Sequence, residues 1–351
     1  MIPANWYAGV DVGGTNVRVA LAPADLSDRA VVKSASTATP KHRPGAIASA
    51  ACDLLDGLLE DVGAAKDDLL AVGLASAGPL DLREGAAFNN ANLGFSRVPL
   101  VGPVAARFPG VPVHLANDAN AAALGVHRFE ASEDEGDDMV YVTISTGIGA
   151  GAVVGGRLLL GKEGNAAEVG HAIVEPSSEL RCGCGARGCW EVFSSGTGVA
   201  GRARERAASA REEEWPNLRE LVGGDPAKID AKLVFQAARL GDPLARRVVE
   251  EAAFYVKVGF GLLNNFYDPV VVYVGGAMAK DEDLLLDPVR RQFAEDPLPF
   301  TVNHPPEIKR TVLGDAVGLL GALALAKYAN EGHPLLGGRF QGRWSRKEVG
   351  A

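Results

Sequence analysis

Apolar residues recur along the chain with two different periods, which predict strands and helices in alternation. Short runs rich in β-branched and aromatic residues at 7–12, 17–22 and 69–75 predict strands, and a glycine turn joins the first two. After Pro44, apolar side chains instead recur every three or four residues, which predicts an amphipathic helix with Cys52 on its buried face. The apolar positions of this helix are Ala48, Ala51, Cys52, Leu55, Leu58, Leu59 and Val62.

The second half of the chain repeats this plan. Residues 139–144 predict a strand, 145–151 a glycine-rich turn and 152–154 a return strand. The continuous β-branched run at 270–274 predicts a buried strand, and the small, apolar residues of 314–328 predict an interior helix. Strands alternating with helices indicate the α/β class.

The paired hairpins and the length of 351 residues predict two similar lobes around a common cleft. We place the change of lobe at Asn117, with 1–117 as a small N-terminal lobe that the helix at 314–328 completes. Residues 118–313 then form a large lobe. The remaining segment, 329–351, is rich in Gly, Pro and Arg without periodicity, which predicts a loosely packed tail.

Composition narrows the functional classes. A formal net charge of −9 argues against a nucleic-acid partner, because no positive field would attract phosphates. Neither a signal peptide nor a membrane-spanning stretch is evident, and four cysteines are too few for a disulfide scaffold. These features predict a cytoplasmic protein that does not associate with membranes.

The most informative carboxylate is Asp118, which follows a predicted strand at 111–115 and precedes an alanine-rich helix. Such a junction exposes a side chain on a rigid backbone, as a general base requires. Asp is also among the best N-cap residues, so capping is the competing interpretation for Asp118 alone. A base beside a phosphate-binding loop indicates phosphoryl transfer to a small hydroxylated molecule.

Two glycine-rich turns are candidate phosphate loops. In the first, Gly13 and Gly14 permit close approach of an anion, Thr15 adds a hydroxyl, and Asp11 could orient the water shell of Mg²⁺. A plain hairpin turn is the alternative. The second, at 143–151, includes Thr146 and has glycines at alternate positions, which permits approach of phosphate or of another backbone. The glycines of this second turn are Gly147, Gly149 and Gly151.

The pair Gly275 and Gly276 follows the strand at 270–274 and precedes a helix. Ligands of α/β sheets bind beyond the carboxyl ends of such strands, so an adenine or ribose contact is one interpretation. The alternative interpretation is an ordinary β–α turn without a ligand.

The most specific spacing is a cysteine cluster. Cys182, Cys184 and Cys189 lie within eight residues on a glycine-rich loop, and His171 precedes them. This Cys₃His set is typical of structural zinc, which is tetrahedral and leaves no open position for catalysis. Glu168 and Glu191 flank the cluster, so a sugar hydroxyl could lie beside them and beside the second ring nitrogen of His171.

Taken together, these motifs resemble the ROK family of repressors, open reading frames and sugar kinases, and its glucokinase-type members most closely. The resemblance spans about residues 6 to 328. The matching segments are 11–18, 78–81, 117–120, 146–151, 168–171, 182–191 and 275–276. One departure is that the segment from His171 to Cys182 is one residue longer than in comparable glucokinases.

The resemblance implies an actin-like ATPase fold with two ribonuclease-H-like lobes around a central cleft. It implies that Asp118 is the general base and that other residues bind the sugar, including Asn92 in a loop on the sugar side. It also implies ATP, Mg²⁺ and structural Zn²⁺ as cofactors, and a dimer or tetramer. The implied sugar ligands are Gly78, Asn92, Asn117, Asp118, Glu168, His171 and Glu191, and the implied zinc ligands are His171, Cys182, Cys184 and Cys189.

We therefore expect an ATP-dependent kinase that phosphorylates the 6-hydroxyl of glucose. Another hexose or N-acetylhexosamine (N-acetylmannosamine, N-acetylglucosamine, fructose or mannose) and a donor such as ADP or polyphosphate remain alternatives. A sugar-responsive repressor of the same family is the alternative from another class. We disfavour it because the negative charge and the few residues before the first predicted strand do not suit a DNA-binding segment.

Overall fold

The computed structural model describes residues 5–26, 33–90, 92–295 and 304–337. Internal packing divides the chain into two compact units. Of the described residues, unit 1 comprises 5–26, 33–90, 92–141, 151–167 and 311–337, and unit 2 comprises 142–150, 168–295 and 304–310.

The strands of the described residues are numbered in chain order. They are β1 (Trp6–Val12), β2 (Asn16–Pro23), β3 (Lys33–Ala38), β4 (Leu69–Ser76), β5 (Leu80–Asp81), β6 (Ala86–Asn90), β7 (Phe95–Pro99), β8 (Val113–Asn117), β9 (Met139–Ile144), β10 (Ile148–Val154), β11 (Arg157–Leu158), β12 (Val271–Gly275) and β13 (Glu307–Arg310).

The α-helices are numbered in the same way, and short 3₁₀ turns lie between some of them. They are α1 (Gly45–Val62), α2 (Val101–Arg107), α3 (Asp118–Phe129), α4 (Glu133–Gly136), α5 (Trp190–Ser194), α6 (Gly196–Ser209), α7 (Pro216–Leu221), α8 (Ala231–Arg239), α9 (Pro243–Tyr267), α10 (Glu282–Glu295) and α11 (Val317–Glu331).

The core of unit 1 is a sheet with the strand order β3-β2-β1-β4-β8. Strand β1 is antiparallel to β2 and parallel to β4, and β4 is parallel to β8. Glycines allow α11 to lie very close to its neighbours. A Cβ on Gly73 of β4 would lie 2.0 Å from the carbonyl oxygen of Ala322, and one on Gly321 would lie 2.0 Å from that of Ala121 in α3.

A second sheet has the order β11-β10-β9-β12-β13, and β9 and β10 contribute residues to both units. Within unit 2, α5 packs on α9 through Trp190, which is fully buried and meets Phe260 edge to face. Gly259 makes room for this indole, because a Cβ there would lie 2.2 Å from a ring atom of Trp190. The short helix α5 is therefore fixed by its first residue.

Several element bounds differ from the sequence predictions. Strand β10 begins at Ile148, inside the segment predicted as a turn, so the turn covers only 145–147. The strand before Asp118 is Val113–Asn117 rather than 111–115, and it reaches the helix without a linker.

The predicted tail at 329–351 also needs correction. Helix α11 continues to Glu331, and both Leu335 and Leu336 are buried in the 3₁₀ turn that follows, so this part of the predicted tail is ordered and anchored by two leucines. The rest of the predicted tail, 338–351, lies outside the described residues. The predicted change of lobe at Asn117 differs from the packing units, because α3 packs along α11 and so belongs to unit 1.

No helix in the described parts of the chain is both long and apolar enough to cross a bilayer.

Candidate functional site

The junction of β8 and α3 presents Asn117 and Asp118 in unit 1. Asn117 is the N-cap of α3, and its side-chain oxygen accepts hydrogen bonds from the N–H groups of Ala119 at 2.9 Å and Asn120 at 3.4 Å. Asp118 is the first residue of the helix and is half-buried, and its Oδ1 accepts the N–H of Ala119 at 2.9 Å. The capping interpretation therefore applies to Asn117 rather than to Asp118.

The turn between β1 and β2 is a hairpin. Gly13 N–H donates to the carbonyl of Asn16 at 3.0 Å, which closes the turn and occupies that donor. Neither Gly13 nor Gly14 has a positive φ, so conformational freedom does not explain the glycines. Space explains Gly14, because a Cβ there would lie 2.9 Å from the carbonyl oxygen of Asn92. Thr15, at the tip of the hairpin, is exposed.

Asp11 is buried at the end of β1 and is paired with Arg18 directly across the hairpin. The Nε of Arg18 donates to Asp11 Oδ2 at 3.1 Å, and the same guanidinium bonds to the carbonyl of Asp315 at 2.7 Å. A second nitrogen of the same guanidinium, Nη2, donates to the same oxygen, so Arg18 holds the Asp11 carboxylate through Oδ2 alone. No sequence motif pointed to Arg18 as the partner of Asp11.

Two further predicted sugar-side positions, Gly78 and Asn92, also belong to unit 1. Gly78 lies in the loop between β4 and β5, and Asn92 lies exposed in the loop between β6 and β7. The backbone carbonyl of Asn92 accepts a hydrogen bond from Lys41 at 3.2 Å. Asn92 also lies against the hairpin, because its Cβ would be 2.9 Å from a Cβ on Gly14.

In unit 2, the turn between β9 and β10 is held by Glu191. Its Oε2 accepts the N–H of Ile148 at 2.9 Å, and a Cβ on Gly147 would lie 2.5 Å from the same oxygen. Thr146 is exposed, and its carbonyl accepts the N–H of Thr197 at the start of α6. A side chain at 147 would therefore displace the Glu191 carboxylate.

The alternating glycines of this segment have different explanations. Gly149 is half-buried within β10. Gly151 belongs to unit 1, where a Cβ would lie 2.7 Å from the carbonyl of Ala119 in α3. Tight packing, the alternative that the sequence left open, therefore accounts for Gly151.

Strand β12 ends at Gly275, and Gly276 has φ +91°, a conformation that favours glycine. A Cβ on Gly276 would lie 2.4 Å from the carbonyl oxygen of Ile144 at the end of β9. Gly276 and the turn at 145–147 therefore lie at the same end of neighbouring strands.

The cysteine cluster closes around one point in unit 2. The ligand atoms of His171, Cys182, Cys184 and Cys189 all lie within 4.8 Å of one another. His171 Nδ1 is 3.5 Å from Cys182 Sγ, and the sulfurs of Cys184 and Cys189 are 3.7 Å apart. Burial raises the pKa of the Cys182 and Cys189 thiols, an effect that a bound cation would oppose by stabilising the thiolates.

Glu168 and Glu191 flank this cluster. Glu168 is exposed and precedes the 3₁₀ turn Val169–His171. Gly170 fixes this turn against β10, because a Cβ there would lie 2.1 Å from the carbonyl oxygen of Ile148. Glu191 follows Trp190, and its Oε1 lies 3.5 Å from Cys182 Sγ. Unit 2 thus brings together Glu168, His171, Glu191 and the turn at 145–147.

Comparison with known proteins agrees with the motifs. A model of the ROK family matches residues 7–329. The chain belongs to the ROK family. It is 33% identical over 319 residues to a glucokinase of Streptomyces coelicolor, which covers 91% of this chain and 96% of that protein. It is also 32% identical over 323 residues to an N-acetylmannosamine kinase of Escherichia coli O157:H7, with coverage of 91% and 97%.

Among solved structures, the chain resembles a ROK family glucokinase from Streptomyces griseus in complex with glucose and AMPPNP. The identity is 34%, the TM-score is 0.75, and the match covers 92% of this chain and 99% of that one. The fold of this ROK protein is therefore the actin-like ATPase fold, and the expected family and fold are confirmed.

Proposed function

We propose that this ROK protein is an ATP-dependent glucokinase that transfers the γ-phosphoryl group of ATP to the 6-hydroxyl of glucose. Its similarity over nearly the whole chain to glucokinases, including one bound to glucose and an ATP analogue, supports the reaction. The observation that carries the catalytic assignment is the division of roles at α3. Asn117 caps the helix, so Asp118 is not needed as the cap.

In this proposal, the Asp118 carboxylate accepts the proton of the 6-hydroxyl as that oxygen attacks the γ-phosphorus. The bond between the γ-phosphorus and the bridging oxygen then breaks, and ADP leaves with the electron pair. As the first residue of α3, Asp118 has a backbone fixed by the helix, and its Oδ1 is oriented by the N–H of Ala119. General-base assistance of this kind contributes about 10²- to 10⁴-fold to a rate.

The remaining roles follow the family resemblance and are part of the proposal. Gly78, Asn92, Asn117, Glu168, His171 and Glu191 would bind sugar hydroxyls. Asp11, Gly13, Gly14, Thr15, Thr146, Gly147, Gly149, Gly275 and Gly276 would bind the nucleotide and its Mg²⁺. Because Arg18 occupies Oδ2 of Asp11, we assign Mg²⁺ contact to its other carboxylate oxygen, through water.

Structural Zn²⁺ at the cysteine cluster is also proposed. A tetrahedral site with ordinary zinc bond lengths separates two sulfurs by about 3.8 Å, and a sulfur from a nitrogen by about 3.5 Å. The separations of 3.7 Å for Cys184 and Cys189 and 3.5 Å for His171 and Cys182 fit that geometry. Such a site would hold His171 and, two residues after Cys189, Glu191 in fixed positions.

A kinase for N-acetylmannosamine is the second candidate, because a relative of that name is 32% identical over most of the chain. We also propose that the protein is cytoplasmic and, as the family resemblance implies, that it forms a dimer or tetramer.

A coupled assay of ADP release, with ATP and a panel of hexoses and N-acetylhexosamines, tests the proposal. We expect the highest kcat/KM for glucose. A preference for N-acetylmannosamine would replace glucose with the second candidate, and no turnover of any sugar would refute kinase activity. Retardation of bulk DNA at low salt by the same preparation would instead favour a repressor.

A further inference from the structure

Two buried or half-buried asparagines in unit 1 hold the loop that contains Gly78, and no motif assigned them a role. Asn90 ends β6 and is 3% exposed. Asn165 lies in the segment after β11 and is half-buried. Their contacts with the loop at 77–80 come from separate parts of the chain.

Asn90 makes four hydrogen bonds through its side chain. Its Nδ2 donates to the carbonyls of Ala77 and Gly78, both at 2.8 Å. Its Oδ1 accepts the N–H groups of Asn92 at 2.8 Å and Leu93 at 3.0 Å. These four bonds use the full donor and acceptor capacity of an amide side chain. One residue therefore ties the Gly78 loop to the Asn92 loop.

Asn165 holds the other end of the Gly78 loop. Its Oδ1 accepts the N–H of Leu80 at 2.9 Å, and its Nδ2 donates to the carbonyl of Leu80 at 2.8 Å. This pair of bonds imitates the pairing of a neighbouring strand. Asn90 bonds to Ala77 and Gly78, and Asn165 bonds to Leu80. Side-chain amides therefore hold three of the four residues at 77–80.

We propose that Asn90 and Asn165 are positioning residues that hold the Gly78 and Asn92 loops in the conformation that binds the sugar. The proposal rests on the proposed function, because it takes these loops as sugar-side loops. Asn90 couples the two loops, so a change at one loop is transmitted to the other. A role limited to stability would instead lower the melting temperature without changing sugar affinity selectively.

The chemistry of the amide suggests graded variants. Asn90→Asp keeps an acceptor for the N–H groups of Asn92 and Leu93 but loses the donors, and it sets carboxylate oxygens against two carbonyls. Asn90→Ala loses all four bonds. Asn89→Asp is the matched control, because Asn89 is the exposed neighbour with φ +45°, a conformation that Asp tolerates.

Amide hydrogen exchange and steady-state kinetics test the proposal together. The amide to follow in the Gly78 loop is that of Leu80, whose N–H is bonded to Asn165. We expect Asn90→Asp to loosen the loop and raise exchange of the Leu80 amide while the Asn92 amide stays protected, and Asn90→Ala to raise exchange of both. We expect KM for the sugar to rise about tenfold to a hundredfold, in keeping with the loss of two hydrogen bonds, with little change in KM for ATP. Asn89→Asp should change neither measurement.

If Asn90→Asp does not fold, Asn165→Asp provides the same test, since it removes only the donor to Leu80. Unchanged exchange of the Leu80 amide, or equal increases in KM for sugar and for ATP, would overturn the proposal. The exchange pattern needs no substrate, so it distinguishes this inference from the function. A wild type without kinase activity would refute the function, and the exchange data would still decide whether Asn90 couples the loops.

Discussion

Glu191 Oε2 lies 2.9 Å from the backbone nitrogen of Ile148 and accepts its hydrogen bond. One predicted sugar ligand is therefore bonded to the turn that is predicted to hold phosphate. Both groups belong to unit 2. A displacement of Glu191 is expected to affect the turn and the sugar-binding carboxylate together.

Gly147→Ala tests this relationship. A Cβ at 147 would lie 2.5 Å from Glu191 Oε2, and a carboxylate at the end of a flexible side chain can move away at little cost. We expect KM for glucose to rise about tenfold, the loss of roughly one charge-assisted hydrogen bond, with a melting temperature close to that of the wild type. Gly201→Ala in α6 is the control, because no atom lies within 4 Å of a Cβ there. Unchanged KM in Gly147→Ala would show that Glu191 does not bind the sugar from this position.

The zinc proposal predicts one tightly bound Zn²⁺ per chain in the wild type and almost none in Cys184→Ser. Cys184 is the exposed cysteine of the cluster, so the substitution itself disturbs little packing. Because metal binding contributes folding free energy, the variant and the chelator-treated wild type should both melt at lower temperature. Elemental analysis and thermal unfolding measure these effects. Cys52→Ala is the control, because Cys52 lies in the buried face of α1, and it should retain the full zinc content. A wild type that is active without metal would exclude a structural zinc.

Stability should depend on pH through His114, which is buried in β8. Burial lowers its pKa to about 4 from the ordinary value of 6.5. The neutral form is favoured in the folded state, so this contribution is complete above pH 6.5 and is lost as the pH falls towards 4. The shift corresponds to about 3 kcal/mol.

Denaturant unfolding at pH 6.5 and pH 4.5 measures this dependence. The wild type should lose more free energy of unfolding between the two pH values than His114→Gln, by about 2–3 kcal/mol. His42→Gln, at an exposed histidine, should behave as the wild type does. Equal losses in wild type and His114→Gln would show that His114 protonates freely in the folded protein.

Local patterns in the sequence predicted much of the fold. The period of apolar residues after Pro44 gave α1 almost to its ends, and the spacing of the three cysteines with His171 anticipated a cluster within 4.8 Å. These features depend on neighbours in the chain, which the sequence displays directly.

Features that depend on distant segments were not predictable in the same way. A glycine looks the same in the sequence whether it faces phosphate or protein, yet Gly14 accommodates Asn92 and Gly151 accommodates α3. Asn and Asp are both favoured N-cap residues, so the sequence alone does not show whether Asn117 or Asp118 caps α3. The extended backbone of Asn117 shows that Asn117 is the cap. Asn90 and Asn165 gave no signal, because their partners are set by tertiary contacts.

The most direct test of the central claim is the turnover of Asp118→Asn with saturating ATP and glucose, alongside glucose affinity by calorimetry. The amide keeps the shape of the side chain and cannot accept the proton as a base. We predict that kcat falls by about 10²- to 10⁴-fold while the dissociation constant for glucose changes little. A variant that retains most of the wild-type turnover would contradict the assignment of Asp118 as the general base.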